Sequence, residues 1–191
     1  MGKVLDDTRS IKSKENIYNA LLMSSLEQGA ERITITYILK RAEISRSTFY
    51  RHFSSLDDVI QFKLQETVEQ LFEFFKIKGK PHKSDKYLLL YPTLVFFRNR
   101  IDLLRLLINL KETDTLKQVL YSNLKQVNKK LLKAEKQVDV EDFYLENCSS
   151  SIVTLLVLWT KTGMSQSPEE LSLAINNAKD ITHKVFERFE L

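Results

Sequence analysis

The sequence predicts an all-α protein, and three observations carry that prediction. Glycine and proline, the usual breakers of helices, number only four and three in 191 residues. Apolar residues recur at spacings of three and four along most of the chain, as they do on one face of a helix. Apolar residues make up 43% of the chain and charged residues 28%, the ordinary balance of a soluble globular protein with a sizeable core. About nine helices are expected, the first three forming a unit of their own.

The first helix is expected from about Thr8 to Gln28, with Met1 to Asp7 frayed. Ile17 with Leu21, and Tyr18 with Leu22 and Leu26, make its inward face. Gly29 ends it, free to take the left-handed conformation that often follows a helix.

The stretch from Ile33 to Phe53, ITITYILKRAEISRSTFYRHF, holds two short helical patterns joined by a tight turn. Thr34 caps the first, and Ile35, Ile38 and Ala42 share one side of it. Glu43 and Ile44 form the turn, and Ser45 caps the second helix. Phe49 and Phe53, four residues apart, are expected to bury with Ile38, Ala42 and Ile44. That leaves Arg46, Ser47, Thr48, Tyr50, Arg51 and His52 pointing outward. A two-turn helix that begins Arg-Ser-Thr suits a DNA major groove. Arginine can take both acceptors of guanine, and small hydroxyl residues let the backbone approach closely.

Two short amphipathic helices over a small core also occur in proteins that never touch DNA. The lack of any acidic residue between Ser45 and Ser55 favours the DNA reading. Charge agrees modestly: residues 1–55 hold nine Lys or Arg against six Asp or Glu, which is +3 of the chain's net +4. Arg9, Lys12 and Lys14 either meet phosphates or are simply solvated.

After Phe53, Ser54 or Ser55 can cap a helix whose first turn carries Asp57 and Asp58, favourably placed at its positive end. Its apolar positions run from Val59 to Phe75, and the pattern ends before Gly79, a strut about 33 Å long. Lys76 to Ser84, with Gly79 and Pro81, is the clearest punctuation in the chain. Further helices are expected near 84–98, 101–110, 114–137, 140–162 and 168–189, with Pro92 kinking or breaking the first of them. The row Lys117, Lys125, Lys129, Lys130, Lys133 and Lys136 reads as the solvated face of a long helix. Ser167-Pro168-Glu169-Glu170 is a strong helix opening.

Enzyme chemistry finds no support. His52, His82 and His183 lie in separate segments, and none pairs with another His or Cys at metal-binding spacing. There is no phosphate-binding glycine loop and no nucleophile elbow. Cys148, the single cysteine, reads as a core residue in a reducing compartment. No signal peptide and no membrane-length apolar run is visible, so a cytoplasmic protein without cofactor or metal is expected. A small-molecule pocket between helices remains open as a reading. Tyr87, Tyr91, Arg98, Arg105, Asn109, Tyr121, Tyr144, Asn147, Ser151 and Thr154 are polar groups that could line one, and none of them is singled out as a ligand residue.

The 33–53 stretch resembles the DNA-binding domain of the TetR family of bacterial transcriptional regulators. Its nearest likeness is to a branch frequent in Firmicutes that reads Ile-Ser-Arg-x-Thr-Phe-Tyr-x-His-Phe, here Ile44-Ser45-Arg46-Ser47-Thr48-Phe49-Tyr50-Arg51-His52-Phe53. Ile17, Ala20 and Gly29 match the family's first helix. Trp159, Gly163-Met164, Ser167-Pro168-Glu169-Glu170-Leu171 and the run from Phe97 to Leu104 resemble the same branch's regulatory domain. Two positions depart. The family usually has glycine in the turn where this chain has Glu43, so the turn cannot rely on a residue free to take positive φ. A lysine common just after the final phenylalanine, reaching a phosphate, is here Leu56.

The resemblance implies a DNA-binding domain over 1–55 and a ligand-binding and dimerisation domain over 56–191. It implies a homodimeric regulator, a repressor, that places one recognition helix per subunit in a palindromic double-stranded operator. Arg46 would read a base or brace a phosphate, and Thr48 would touch a thymine methyl or a phosphate. Ser45 and Ser47 would allow close approach, Tyr50, Arg51 and His52 would contact backbone, and Thr34 and Tyr37 would hold the first helix to the opposite strand. The last two helices of each subunit would form a four-helix bundle, which agrees with the nearly all-round apolar run from Ile152 to Leu158. The effector in the second domain would be a small molecule, or alternatively a partner protein.

Overall fold

The computed structural model describes residues 2–28, 33–78, 90–131, 138–175 and 177. Among them there is no strand. Eight helices are bounded: α1 Gly2–Gln28, α2 Ile35–Ala42, α3 Arg46–His52, α4 Leu56–Lys78, α5 Leu90–Arg98, α6 Ile101–Leu110, α7 Thr113–Leu131 and α8 Val138–Lys161. A ninth begins at 168 and is helical through 175.

The first helix is longer than its sequence suggests: it starts at Gly2 and includes the residues expected to fray. Its inward face holds Ile17, Tyr18 and Leu21 as expected, but Leu26 is 37% exposed and Ser24 and Ser25 are buried instead. Ser24 is tolerated there because its hydroxyl donates to the Ala20 carbonyl at 2.6 Å. The same i−4 bond satisfies the buried hydroxyls of Ser149 and Thr160 in α8. Gly29, and the punctuation at Gly79 and Pro81, lie outside the described residues.

α4 is the element against which the others are set. Ser55 and Asp58 form its capping pair. The Asp58 N–H donates to Ser55 Oγ at 3.1 Å, and Asp58 Oδ2 accepts from the Ser54 and Ser55 N–H groups at 2.7 and 3.2 Å. Val59, Ile60, Leu64, Val68 and Leu71 then fall on one buried stripe. Each contributes roughly 1.5–3 kcal/mol by leaving water. α1, α5 and α7 pack on this helix, α6 packs on α1, and α8 closes over α6 and α7. One continuous core runs from Ile17 and Phe49 at one end to Leu156 and Trp159 at the other.

The lysine row of α7 is partly an interhelix fastening. Lys117 pairs with Glu146 at 3.0 Å, and Lys125 pairs with Asp142 at 2.8 Å, both across to α8. Pro92 sits near the start of the described part of α5, where no kink is needed. The α8 C-terminus closes through Gly163 at φ +71° and Met164 at φ +52°. Arg98 from α5 donates to the carbonyls of Met164 and Gln166, both at 2.8 Å, and the Trp159 indole N–H donates to the latter as well. Ser167 and Glu170 then cap the ninth helix reciprocally, at 2.8 and 3.1 Å.

The turn between α2 and α3 takes a positive φ without glycine. Glu43 is left-handed at φ +57°, ψ +39°, and its N–H closes α2 onto the Leu39 and Lys40 carbonyls. A side chain in that region costs of order 1 kcal/mol or more. Glu43→Gly is therefore expected to raise the unfolding free energy by about 1 kcal/mol in urea titrations. A decrease would mean the Glu43 side chain contributes more than its backbone strain costs.

Candidate nucleic-acid interface

The interface is built from two capped helices and one buried ring. Thr34 Oγ1 accepts the Tyr37 N–H at 3.2 Å and opens α2. Ser45 Oγ accepts the Thr48 N–H at 3.1 Å and opens α3. The same hydroxyl hydrogen-bonds those of Ser47 and Thr48 at 3.0 and 2.9 Å, so the first turn of α3 presents a linked set of small polar groups. Phe49 has 0% exposure, and its ring lies 6.0 Å from Phe53, which packs edge-on against Phe62 of α4 at 5.8 Å. With Phe49 fixed inward, Ser47, Tyr50 and Arg51 are exposed away from the core, and Arg46 is exposed at the first turn of α3.

The residues marked out in the sequence are brought together, with qualifications for three. Thr34, Ser45, Ser47, Arg46, Tyr50 and Arg51 are exposed along one surface of α2 and α3, and Thr48 is half-buried among them. Tyr37 is half-buried, and its hydroxyl accepts from Gln28 Nε2 at 2.6 Å, so it braces α1 against α2. His52 does not point fully outward: it is half-buried beside Phe53, ring centroids 6.4 Å apart, with Nε2 out of solvent. Ile44, expected in the core, is half-buried at its edge. Lys14 turns its ammonium over the Phe62 ring at 4.6 Å. Leu56, where the family's lysine would stand, packs against the core.

Three partners were not legible in advance. Arg46 Nη2 donates to Thr36 Oγ1 at 2.9 Å, joining the exposed sides of α2 and α3. Arg41 forms a two-pronged ion pair with Glu27 of α1, with Nη2 to Oε1 at 2.7 Å. Gln28 is the partner of Tyr37 already noted. Each pair is nine to fourteen residues apart, and the alternation of polar and apolar positions says only that both members are outward. Among the described residues neither Arg46 nor Arg51 is in an ion pair, and α3 contains no acid.

Of the polar groups weighed as pocket lining, Tyr121 lines an open pocket of about 300 Å³ with Asp142, Phe143 and Glu146, and three others are bonded inside the fold. Arg98 holds the α8 turn, Tyr91 donates to Glu169 at 2.7 Å, and Asn109 donates to the Ser25 carbonyl at 3.1 Å. Arg105 is exposed beside Asp102, and Tyr144, Asn147, Ser151 and Thr154 are exposed on α8. Tyr87 lies outside the described residues. An open groove of about 670 Å³ runs between α4 and α5, floored by Phe74 and Phe96 and rimmed by Glu66, Glu69, Glu73 and Arg100. Among the described residues no three His, Cys, Asp or Glu side chains are placed to hold a metal, and no helix is long and apolar enough to cross a membrane.

Comparison with known proteins agrees with this geometry. Residues 17–61 match the profile of bacterial regulatory proteins of the tetR family, and residues 84–179 match that of a transcriptional regulator C-terminal region. A curated relative, the uncharacterized HTH-type transcriptional regulator YxbF of Bacillus subtilis, is 26% identical over 78 residues. That stretch is 40% of this chain and 20% of the relative, so the chain matches only a fifth of its length. The crystal structure of Lin0861 from Listeria innocua superposes with a TM-score of 0.76 at 19% identity, covering 92% of this chain and 93% of that one. A TetR transcriptional regulator from Streptococcus agalactiae gives 0.58 at 22% identity, over 88% and 94%. Both likenesses concern the fold.

The Arg41 hydrogen bonds hold the Glu27 carboxyl below the usual carboxylate range. A depressed folded-state pKa stabilises above the ordinary value and is lost as pH falls through the folded one. The pair is well exposed, so the effect is small. Glu27→Gln is expected to lower the melting temperature at neutral pH, with the difference from wild type vanishing as pH falls below about 4. A difference that persists in acid would assign it to something other than the ion pair.

Proposed function

The chain belongs to the TetR family of bacterial transcriptional regulators, and from that premise we propose that it works as a homodimeric repressor of the Firmicutes-type branch. The families matched are regulators and not enzymes. In this reading residues 1–55 bind operator DNA, residues 56–191 bind an effector and dimerise, and the protein acts in the cytoplasm. The observation that carries it is the outer face of α3. There a two-turn helix, rotationally fixed by a fully buried phenylalanine, presents Arg46, Arg51, Tyr50 and a cluster of hydroxyls with no acid among them.

Each α3 enters one major groove of a palindromic duplex, the two about 34–36 Å apart or a multiple of that. Arg46 reads a base, Ser45, Ser47 and Thr48 sit against the groove wall, and Tyr50, Arg51 and His52 face backbone. Thr34 and Tyr37 seat the start of α2 on the opposite strand.

The dimer is formed by α8 and the helix that follows it. Tyr144, Asn147, Ser151, Thr154 and Leu158 are all exposed and alternate at spacings of three and four, the seam of a packed helix pair. Leu158 at 57% and Leu173 at 61% exposure are apolar side chains that this interface would cover. An effector changes operator affinity only by binding differently to the DNA-competent and incompetent spacings of the two readers. α4 carries that difference, since its start holds Phe53 through Phe62, α7 packs along it, and Phe74 near its end packs on Phe96 of α5. The engagement of Arg98, Asn109 and Tyr91 in internal bonds supports a second reading, in which the effector is a partner protein on the outer surface.

Arg46→Ala is expected to weaken binding to a selected operator by ~1–3 kcal/mol in fluorescence anisotropy titrations. An equal loss on scrambled duplex would remove its base-reading role. Leu158→Glu is expected to yield folded monomer in sedimentation velocity. A dimer unchanged by it would put the interface elsewhere.

A further inference from the structure

One contact between α2 and α3 belongs neither to the core nor to the caps. Arg46 Nη2 donates to Thr36 Oγ1 at 2.9 Å, and both residues are exposed. We propose that Thr36 is a positioning residue for Arg46, holding its guanidinium on the groove-facing surface so that it reads one guanine. The proposal rests on α3 being the DNA reader.

The chemistry of the pair fits that task. A guanidinium carries five N–H donors in a rigid fork. Nη2 contributes one hydrogen to the end-on edge it shares with Nη1 and one to the side edge it shares with Nε. Whichever of the two Thr36 accepts, one complete two-pronged edge remains for guanine O6 and N7. Threonine is neutral, so the contact fixes direction without cancelling charge. Arg41, five positions earlier on α2, shows the contrast: its fork is closed by the Glu27 carboxylate.

Thr36 is itself well anchored. It lies in the first turn of α2, between the Thr34 cap and Tyr37, whose hydroxyl is tied to Gln28 of α1. A long arginine side chain would otherwise lose considerable freedom on docking, and a partner that holds it beforehand lowers that loss. In free protein water competes for the bond. Once the groove excludes water, the bond strengthens.

The test uses the full-length protein and a duplex that the wild type selects from a randomised library. It compares that duplex with a scrambled one, and with the single-base-pair variant whose discrimination Arg46→Ala abolishes. Thr36→Val is expected to lose about fivefold of the preference between the selected duplex and that variant, the worth of one hydrogen bond. Its affinity for scrambled duplex and its salt dependence should match wild type. Thr36→Ser should restore the preference, and Thr36→Val should add nothing in an Arg46→Ala background. The proposal is overturned if Thr36→Val matches wild type, or if it weakens selected and scrambled duplex alike. It is also overturned if Thr36→Val binds more tightly, since Thr36 would then be parking Arg46 away from DNA. A wild type that selects no duplex at all would sink the reader assignment itself. A selective wild type with a silent Thr36→Val would sink the positioning role alone.

Discussion

The burial of Phe49 is the constraint on which the interface depends. A helix of seven residues does not hold together in water by its own hydrogen bonds. It exists here because one ring is taken wholly out of solvent and a second, Phe53, is clamped against Phe62 of α4. That choice also sets the rotation of α3. With position 49 inward, helical periodicity sends 47, 50 and 51 outward, while 46, three residues before 49, is exposed at the first turn of the helix, whose start Ser45 fixes. The same contact ties the orientation of α3 to α4.

The interface is fastened to the remainder of the chain by both packing and polar ties. Lys63 of α4 donates to Glu15 of α1 at 2.9 Å and lies 5.0 Å from the Tyr18 ring. Burial, then Glu15 and Asp102, push the Tyr18 phenol up to about 12, so it stays neutral where the protein works. Asn109 of α6 donates to the carbonyl of buried Ser25 near the end of α1. A displacement of α6 or α4 therefore cannot occur without disturbing α1, and α1 carries Glu27 and Gln28, the braces of α2. Effector control needs such a connected set of contacts with two arrangements.

Much of this was readable from the sequence because it follows from local rules. The caps at Thr34, Ser45 and Ser167, the inward pair Phe49 and Phe53, and the bounds 101–110 of α6 all come from residue type and spacing. What escaped depends on tertiary neighbours. Ser24 and Ser25 are buried at positions a polarity pattern assigns to solvent, and Leu26 is pushed outward, because α6 approaches α1 from that side. His52 is drawn in beside Phe53 although its neighbours on α3 face water. The glycine rule for turns misleads at Glu43, where the packing of the two helices over Ile38 and Phe49 imposes the left-handed geometry whatever the residue.

The arginines of the first 55 residues explain why a charge count reveals so little about such a site. Arg41 and Arg46 are five positions apart and equally exposed in a polarity pattern, yet they meet opposite partners. Arg41 faces a carboxylate and contributes to holding α1 on α2, leaving little field to draw a phosphate. Arg46 faces a hydroxyl and keeps its full charge. Arg51, one and a half turns further along α3, is in no ion pair among the described residues. The net excess of three positive charges over the unit therefore does not reveal that both arginines of α3 stand outside any ion pair among the described residues. Attraction to any duplex needs only charge, whereas discrimination between duplexes needs a charged group whose direction is fixed before the bases arrive.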